Sequence, residues 1–110
     1  MKVTPLLAIA ATALAFSLPA AAVDADAANK MIKDNGCTKC HSVDKSKKGP
    51  SFQKTAAKYK GKPDAEAKLL DMVTKSPKVK MDDGTEEEHK AVKSTDMAQV
   101  KNMVQWILAQ

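Results

Sequence analysis

The sequence predicts an all-α protein. Apolar residues recur at helical spacing in separate stretches, Gly, Pro, Asn and Asp breakers stand between those stretches, and no segment alternates with period two. Asp26 is placed to cap a short helix through Ala27, Ala28, Met31 and Ile32, stopped by Asn35-Gly36. Ser42 to Pro50 is rich in Lys, Ser, Gly and Pro and reads as loop. Phe52 to Tyr59 suits a short helix closed by Gly61 and Pro63. Asp64 caps Ala65 to Lys75, where Ala65, Leu69, Met72 and Val73 share one face, and Ser76-Pro77 ends it. Lys78 to Ser94 has no clean periodicity and holds the turn signal Asp82-Asp83-Gly84. Thr95 or Asp96 caps a last helix striped by Met97, Val100, Met103, Val104, Ile107 and Leu108. Met72, Met97 and Met103 on these stripes read as core filler.

At 110 residues the chain has room for one small domain. Its N-terminus reads as a leader to be removed. Lys2 precedes the uncharged run Val3 to Ala22, and Ala20 and Ala22 form an Ala-x-Ala cleavage pattern. An uncleaved anchor is the competing reading, but the run is Ala-rich, contains Pro19 and ends in the cleavage pattern. Residues 1–22 are therefore expected to be a signal peptide and residues 23–110 the mature domain, exported to a periplasm. No later stretch is apolar enough to insert stably in a membrane.

Aromatic residues make up only 4% of the chain, one Trp, one Tyr and two Phe, and Phe16 leaves with the leader. A small domain leans on aromatic area to stabilise its core. Two Cys supply one disulfide at most, so a disulfide framework does not make up the deficit. Something other than side chains fills the middle of this protein.

Cys37-Thr38-Lys39-Cys40-His41 supplies that body. Cys-x-x-Cys-His is the attachment signature of c-type haem. Two thiols three positions apart reach the two vinyl groups on one porphyrin edge, and the following His41 aims an imidazole nitrogen at the iron. A thioredoxin-like Cys-x-x-Cys needs a βαβ context that the helical pattern lacks. A zinc site from Cys37, Cys40, His41 and His89, or a plain disulfide, explains the pair but not the shortage of core. One covalently attached haem c is the expected cofactor. Met31, Ile32, Phe52, Tyr59, Leu69, Val100 and Trp106 are the residues placed to wrap it.

From Ala28 onward the chain resembles the small monohaem class I cytochromes c of bacteria, the c8/c-551 type. Gly36-Cys37 through His41 matches the attachment site, and Lys48-Gly49-Pro50-Ser51-Phe52 matches the Gly-Pro loop. The resemblance continues through Ala56 to Gly61 and Asp64 to Leu69, and it ends in Val104-Gln105-Trp106-Ile107-Leu108. It implies a class I fold of about four helices around one haem. It also implies that the Pro50 carbonyl accepts a hydrogen bond from the His41 ring, which fixes the tautomer and raises ligand basicity. Near the end of the last helix, the family's aromatic packs against the first helix.

The resemblance fails at the sixth ligand. The family places a Met, often Met-Pro, in a loop before the last helix, and this chain offers only Met81 and His89 there. The family's ligand lies roughly six or seven residues before the last helix, and His89 stands at that spacing from Thr95 while Met81 lies farther back. His89 is the expected sixth ligand, with Met81 as the alternative and an open position as the third possibility. A solvated histidine beside Glu86-Glu87-Glu88 is the plainer reading of His89. Imidazole in place of a thioether favours ferric iron and lowers the potential.

All 18 basic residues are Lys, against 13 acidic ones, giving a net charge of +5. Without Arg, bidentate phosphate or base recognition is poorly served, so nucleic acid is not an expected partner. Lys39, Lys45, Lys47, Lys48, Lys54, Lys58, Lys60 and Lys62 crowd the attachment half, while Asp82, Asp83, Glu86, Glu87 and Glu88 crowd the stretch before His89. Such a dipole steers an acidic redox partner. The sequence thus points to a periplasmic one-electron carrier with no enzymatic chemistry. A haem-based sensor or small-ligand binder with a labile sixth position is the alternative.

Overall fold

The computed structural model describes Thr12 and residues 22–110. The signal-peptide expectation falls on residues 1–22 and so lies almost wholly outside the described residues. Helix α1 (Ala25–Asp34) leads into a single 3-10 turn (Cys37–Lys39), followed by α2 (Phe52–Tyr59) and α3 (Ala65–Thr74). A small hairpin, β1 (Lys78–Lys80) and β2 (Glu86–Glu88), then precedes α4 (Met97–Leu108).

The helix starts follow their caps. Asp24, not Asp26, caps α1: its carboxylate accepts from the Ala27 N–H at 3.0 Å. Tertiary structure makes that choice. The backbone of Asp24 exchanges two hydrogen bonds of 2.8 Å with the Asn102 side chain of α4, while Asp26 falls in the first turn and complements the helix dipole. Ser51 caps α2 through the Lys54 N–H, and Asp96 caps α4 through the N–H groups of Ala98 and Gln99. Asp64 stands at the start of α3 without a cap bond, its carboxylate turned instead to Lys68 at 3.1 Å.

The hairpin departs from the purely helical expectation. Lys78 faces Glu88, Val79 faces Glu87 and Lys80 faces Glu86 in an antiparallel pair. Both strands are largely solvent-exposed, so neither face selects apolar residues and no alternation marks them in the sequence. The Asp82-Asp83-Gly84 turn closes it, with Asp83 accepting from both the N–H and the hydroxyl of Thr85.

Helix α4 is the hub. It packs against α1 most extensively and against α2 and α3 as well. Ala28 and Ile32, Phe52, Leu69 and Val73, and Val100, Met103, Val104 and Ile107 form one buried cluster across the four helices. Met31, Tyr59 and Trp106, expected among the wrapping residues, are only partly buried against it. Met103 is fully enclosed and Met72 half-buried. Met97 is 44% exposed, against expectation, and residues 95–99 around it are exposed throughout. Trp106 meets Phe52 of α2 edge-on, ring centres 5.9 Å apart at 80°.

Candidate haem site

The site begins where α1 stops. Asn35 ends the helix and Gly36 adopts φ +67°, a conformation glycine takes at little cost. The chain then winds tightly: the N–H groups of Cys40 and His41 both return to the Cys37 carbonyl, at 3.2 and 2.9 Å. Cys37 and Cys40 are both partly buried and are not joined to each other. Burial raises the Cys37 pKa, opposed by its own backbone hydrogen bond and the Lys90 ammonium, so the thiol stays protonated.

The loop after the motif folds back and clamps it. Gly49 donates its N–H to the Cys40 carbonyl at 2.8 Å, Lys47 Nζ donates to the Thr38 carbonyl at 2.8 Å, and His41 and Ser46 form a single antiparallel bridge. This return places the Pro50 carbonyl 2.7 Å from His41 Nδ1, which donates to it and leaves Nε2 as the ring nitrogen for a metal. Gly49 lies flat against the same ring. A Cβ there would collide with His41 Cε1 and come within 2.8 Å of Nδ1. Phe52 stacks on the imidazole as well, at 5.5 Å and 24°.

His89 comes from the far end of the hairpin. Its N–H donates to the Pro77 carbonyl at 2.8 Å, and the Val92 N–H donates to Val73 of α3 at 2.8 Å. Its Nδ1 meets the Lys90 carbonyl at 3.1 Å. The His41 and His89 ring centres stand 6.1 Å apart with planes at 40°. Two imidazoles bound on opposite sides of one metal ion, with bonds of about 2 Å, hold their ring centres roughly 6 Å apart. Burial and the nearby His41 lower the His89 pKa, against the raising influence of the Lys90 and Met72 carbonyls, which keeps the ring neutral and able to ligate. Met81, the alternative ligand, sits at the hairpin turn, its N–H on the Thr85 carbonyl at 2.7 Å.

The donor set therefore suits a haem: two cysteines not joined to each other, one imidazole held by a backbone carbonyl, and a second imidazole with its ring centre 6.1 Å from the first. It does not suit zinc, because among the described residues no three His, Cys, Asp or Glu side chains converge on one point. A groove of about 570 Å3 between the ends of α2 and α4, lined by Ala56, Tyr59 and Leu108, contains none of these residues. The hairpin and the contact of Gly49 with the His41 ring are features of the site that only the structure shows. Gly49 was legible in the Gly-Pro pair; the hairpin left no pattern to find.

Residues 25–110 match the cytochrome c family model, and the chain belongs to that family. It is similar to the crystal structure of the class 1 cytochrome MtoD from Sideroxydans lithotrophicus ES-1, with 53% identity, a TM-score of 0.77, and coverage of 80% of this chain and 97% of that one. Nitrosomonas europaea cytochrome c552 is 28% identical at a TM-score of 0.57, covering 73% and 95%. Cytochrome c-551 of Pseudomonas aeruginosa is 34% identical over 73 residues, 66% of this chain and 67% of the relative. The chain is a small class I c-type cytochrome, a haem-based electron carrier with one covalently bound haem c. Like its relatives, it exchanges electrons with redox partner proteins.

Proposed function

We propose that this cytochrome is an exported periplasmic carrier with bis-histidine ligation and a low potential, its leader cleaved after Ala22 and residues 23–110 forming the working domain. Cys37 and Cys40 hold the haem through thioethers, His41 is the proximal ligand and His89 the distal one, with Met81 left in the turn. The haem supplies a one-electron couple at its iron. The observation that carries the reading is the 6.1 Å spacing of His41 and His89.

The chain's own groups set the couple. Pro50 orients His41 and raises its basicity, Lys90 does the same for His89, and two imidazole donors favour the ferric state. Half-burial of both rings limits water near the iron and the reorganisation that accompanies transfer. The eight lysines of the attachment half are all exposed, and none is held in an ion pair among the described residues. They form the surface for a partner with an acidic docking patch, whose association slows as salt rises.

One measurement tests the ligation. Magnetic resonance of the ferric protein, joined to its optical spectrum, is expected to report a low-spin iron with two nitrogen axial ligands and no thioether–iron absorption. A thioether band, or rapid carbon monoxide binding by the ferrous protein at neutral pH, overturns it. The latter outcome would favour a ligand-binding role.

A further inference from the structure

Asn35 and Ser51 are the buried polar residues among the described ones. Ser51 has a local duty at the start of α2. Asn35, 6% exposed, reaches much farther: its Nδ2 donates to the Met31 carbonyl at 2.8 Å, and its Oδ1 accepts the Lys93 N–H at 2.9 Å, 58 residues along the chain. Among the described residues no other side-chain hydrogen bond joins the end of α1 to the stretch that follows the hairpin.

The two ends of that bond matter. Gly36 alone separates Asn35 from Cys37, and Lys93 lies four residues past His89. Among the described residues, the other backbone hydrogen bonds from His89 to Lys93 run to the α3 side, to the Pro77 and Val73 carbonyls. Asn35 is its tie to the attachment side. An amide suits the place because one side chain both donates and accepts, and both of its polar ends are satisfied with little water present.

We infer that Asn35 is a positioning residue for the distal ligand: it holds the segment bearing His89 at a set distance from the haem-attachment end, and thereby governs how readily the distal imidazole leaves the iron. The inference rests on the reading of His89 as the sixth ligand. Its mechanism is the loss of a buried partner, which leaves the Lys93 N–H without its acceptor and the segment with one restraint fewer.

The test uses the haem-loaded protein and the rate at which its ferrous form binds carbon monoxide, together with the potential. Asn35→Ala is expected to raise that rate about three- to tenfold, the size a lost part-buried hydrogen bond carries. It also moves the potential. Asn35→Asp keeps an oxygen for the Lys93 N–H while trading the donation to Met31 for a carboxylate charge, so its rate should rise clearly less than that of Asn35→Ala. A parental rate in Asn35→Ala, or an equal rise in both variants, overturns the inference. In the unaltered holoprotein the Lys93 amide is expected to be protected from hydrogen exchange; exchange at the rate of a free amide overturns it even if Asn35→Ala does not fold. His89→Ala separates the two claims. If it binds carbon monoxide no faster than the parent, the ligand reading fails; if it binds faster and Asn35→Ala does not, the positioning role alone fails.

Discussion

The imidazoles of His41 and His89 lie 48 residues apart in the chain and 6.1 Å apart in space, their planes at 40°. Each is held at Nδ1 by a backbone carbonyl, Pro50 for one and Lys90 for the other. That shared arrangement makes His89 the ligand to test first.

His89→Ala is expected to abolish the six-coordinate low-spin ferric signature and raise the potential by on the order of 0.1 V, within the roughly 0.8 V that axial ligands span. Met81→Ala should leave both unchanged. A low-spin, six-coordinate haem at the parental potential in the His89 variant rules the assignment out.

Acid should release His89. Its pKa is held below the ordinary value of about 6.5, so the unfolded chain takes up the proton before the folded one does. The stability this contributes is present above about pH 6.5 and is lost as pH falls through the lowered native value. Metal ligation competes with the same proton and pushes the loss further to the acid side. An absorbance titration checks the sign: disappearance of the six-coordinate spectrum on raising the pH instead would contradict it.

Gly49→Ala forces a methyl against the His41 ring. Overpacking of this kind costs about 1–3 kcal/mol, and each kcal/mol lowers the melting temperature of a domain this size by roughly 4–8 °C. The displaced ring also weakens its bond to Pro50. Thermal denaturation of the holoprotein measures the first effect; a melting temperature equal to the parent's shows that the ring can move aside freely.

Without haem the chain should not fold. The buried cluster of the described residues contains one aromatic, Phe52, and two partly buried ones pack on it. Such a core is too slight to offset the chain entropy of a small domain. A Cys37→Ala/Cys40→Ala protein is expected to show little helix by circular dichroism and no cooperative melting. A sharp thermal transition in that variant would show that side chains alone suffice.

The Cys-x-x-Cys-His motif, the four helices and most of their ends are local matters, settled by residues three or four positions apart, and they were legible in order along the chain. Ser51, Asp96 and Gly36 act where local chemistry says they should. Other features depended on distant partners. Asn102 reaches across to Asp24 and so moves the start of α1 ahead of Asp26. The hairpin presents charge on both faces and carries no apolar rhythm, and Met97 keeps the phase of a buried stripe where no helix covers it. Spacing favours His89 as the sixth ligand and keeps Met81 as the alternative. By itself the sequence determined the cofactor's attachment motif and the helices that surround it, because both are encoded within a few residues. Only the tertiary structure brings the His89 ring to 6.1 Å from His41 and shows what holds its segment there, because closing so long a loop depends on contacts at Pro77, Val73 and Asn35 that no local pattern contains.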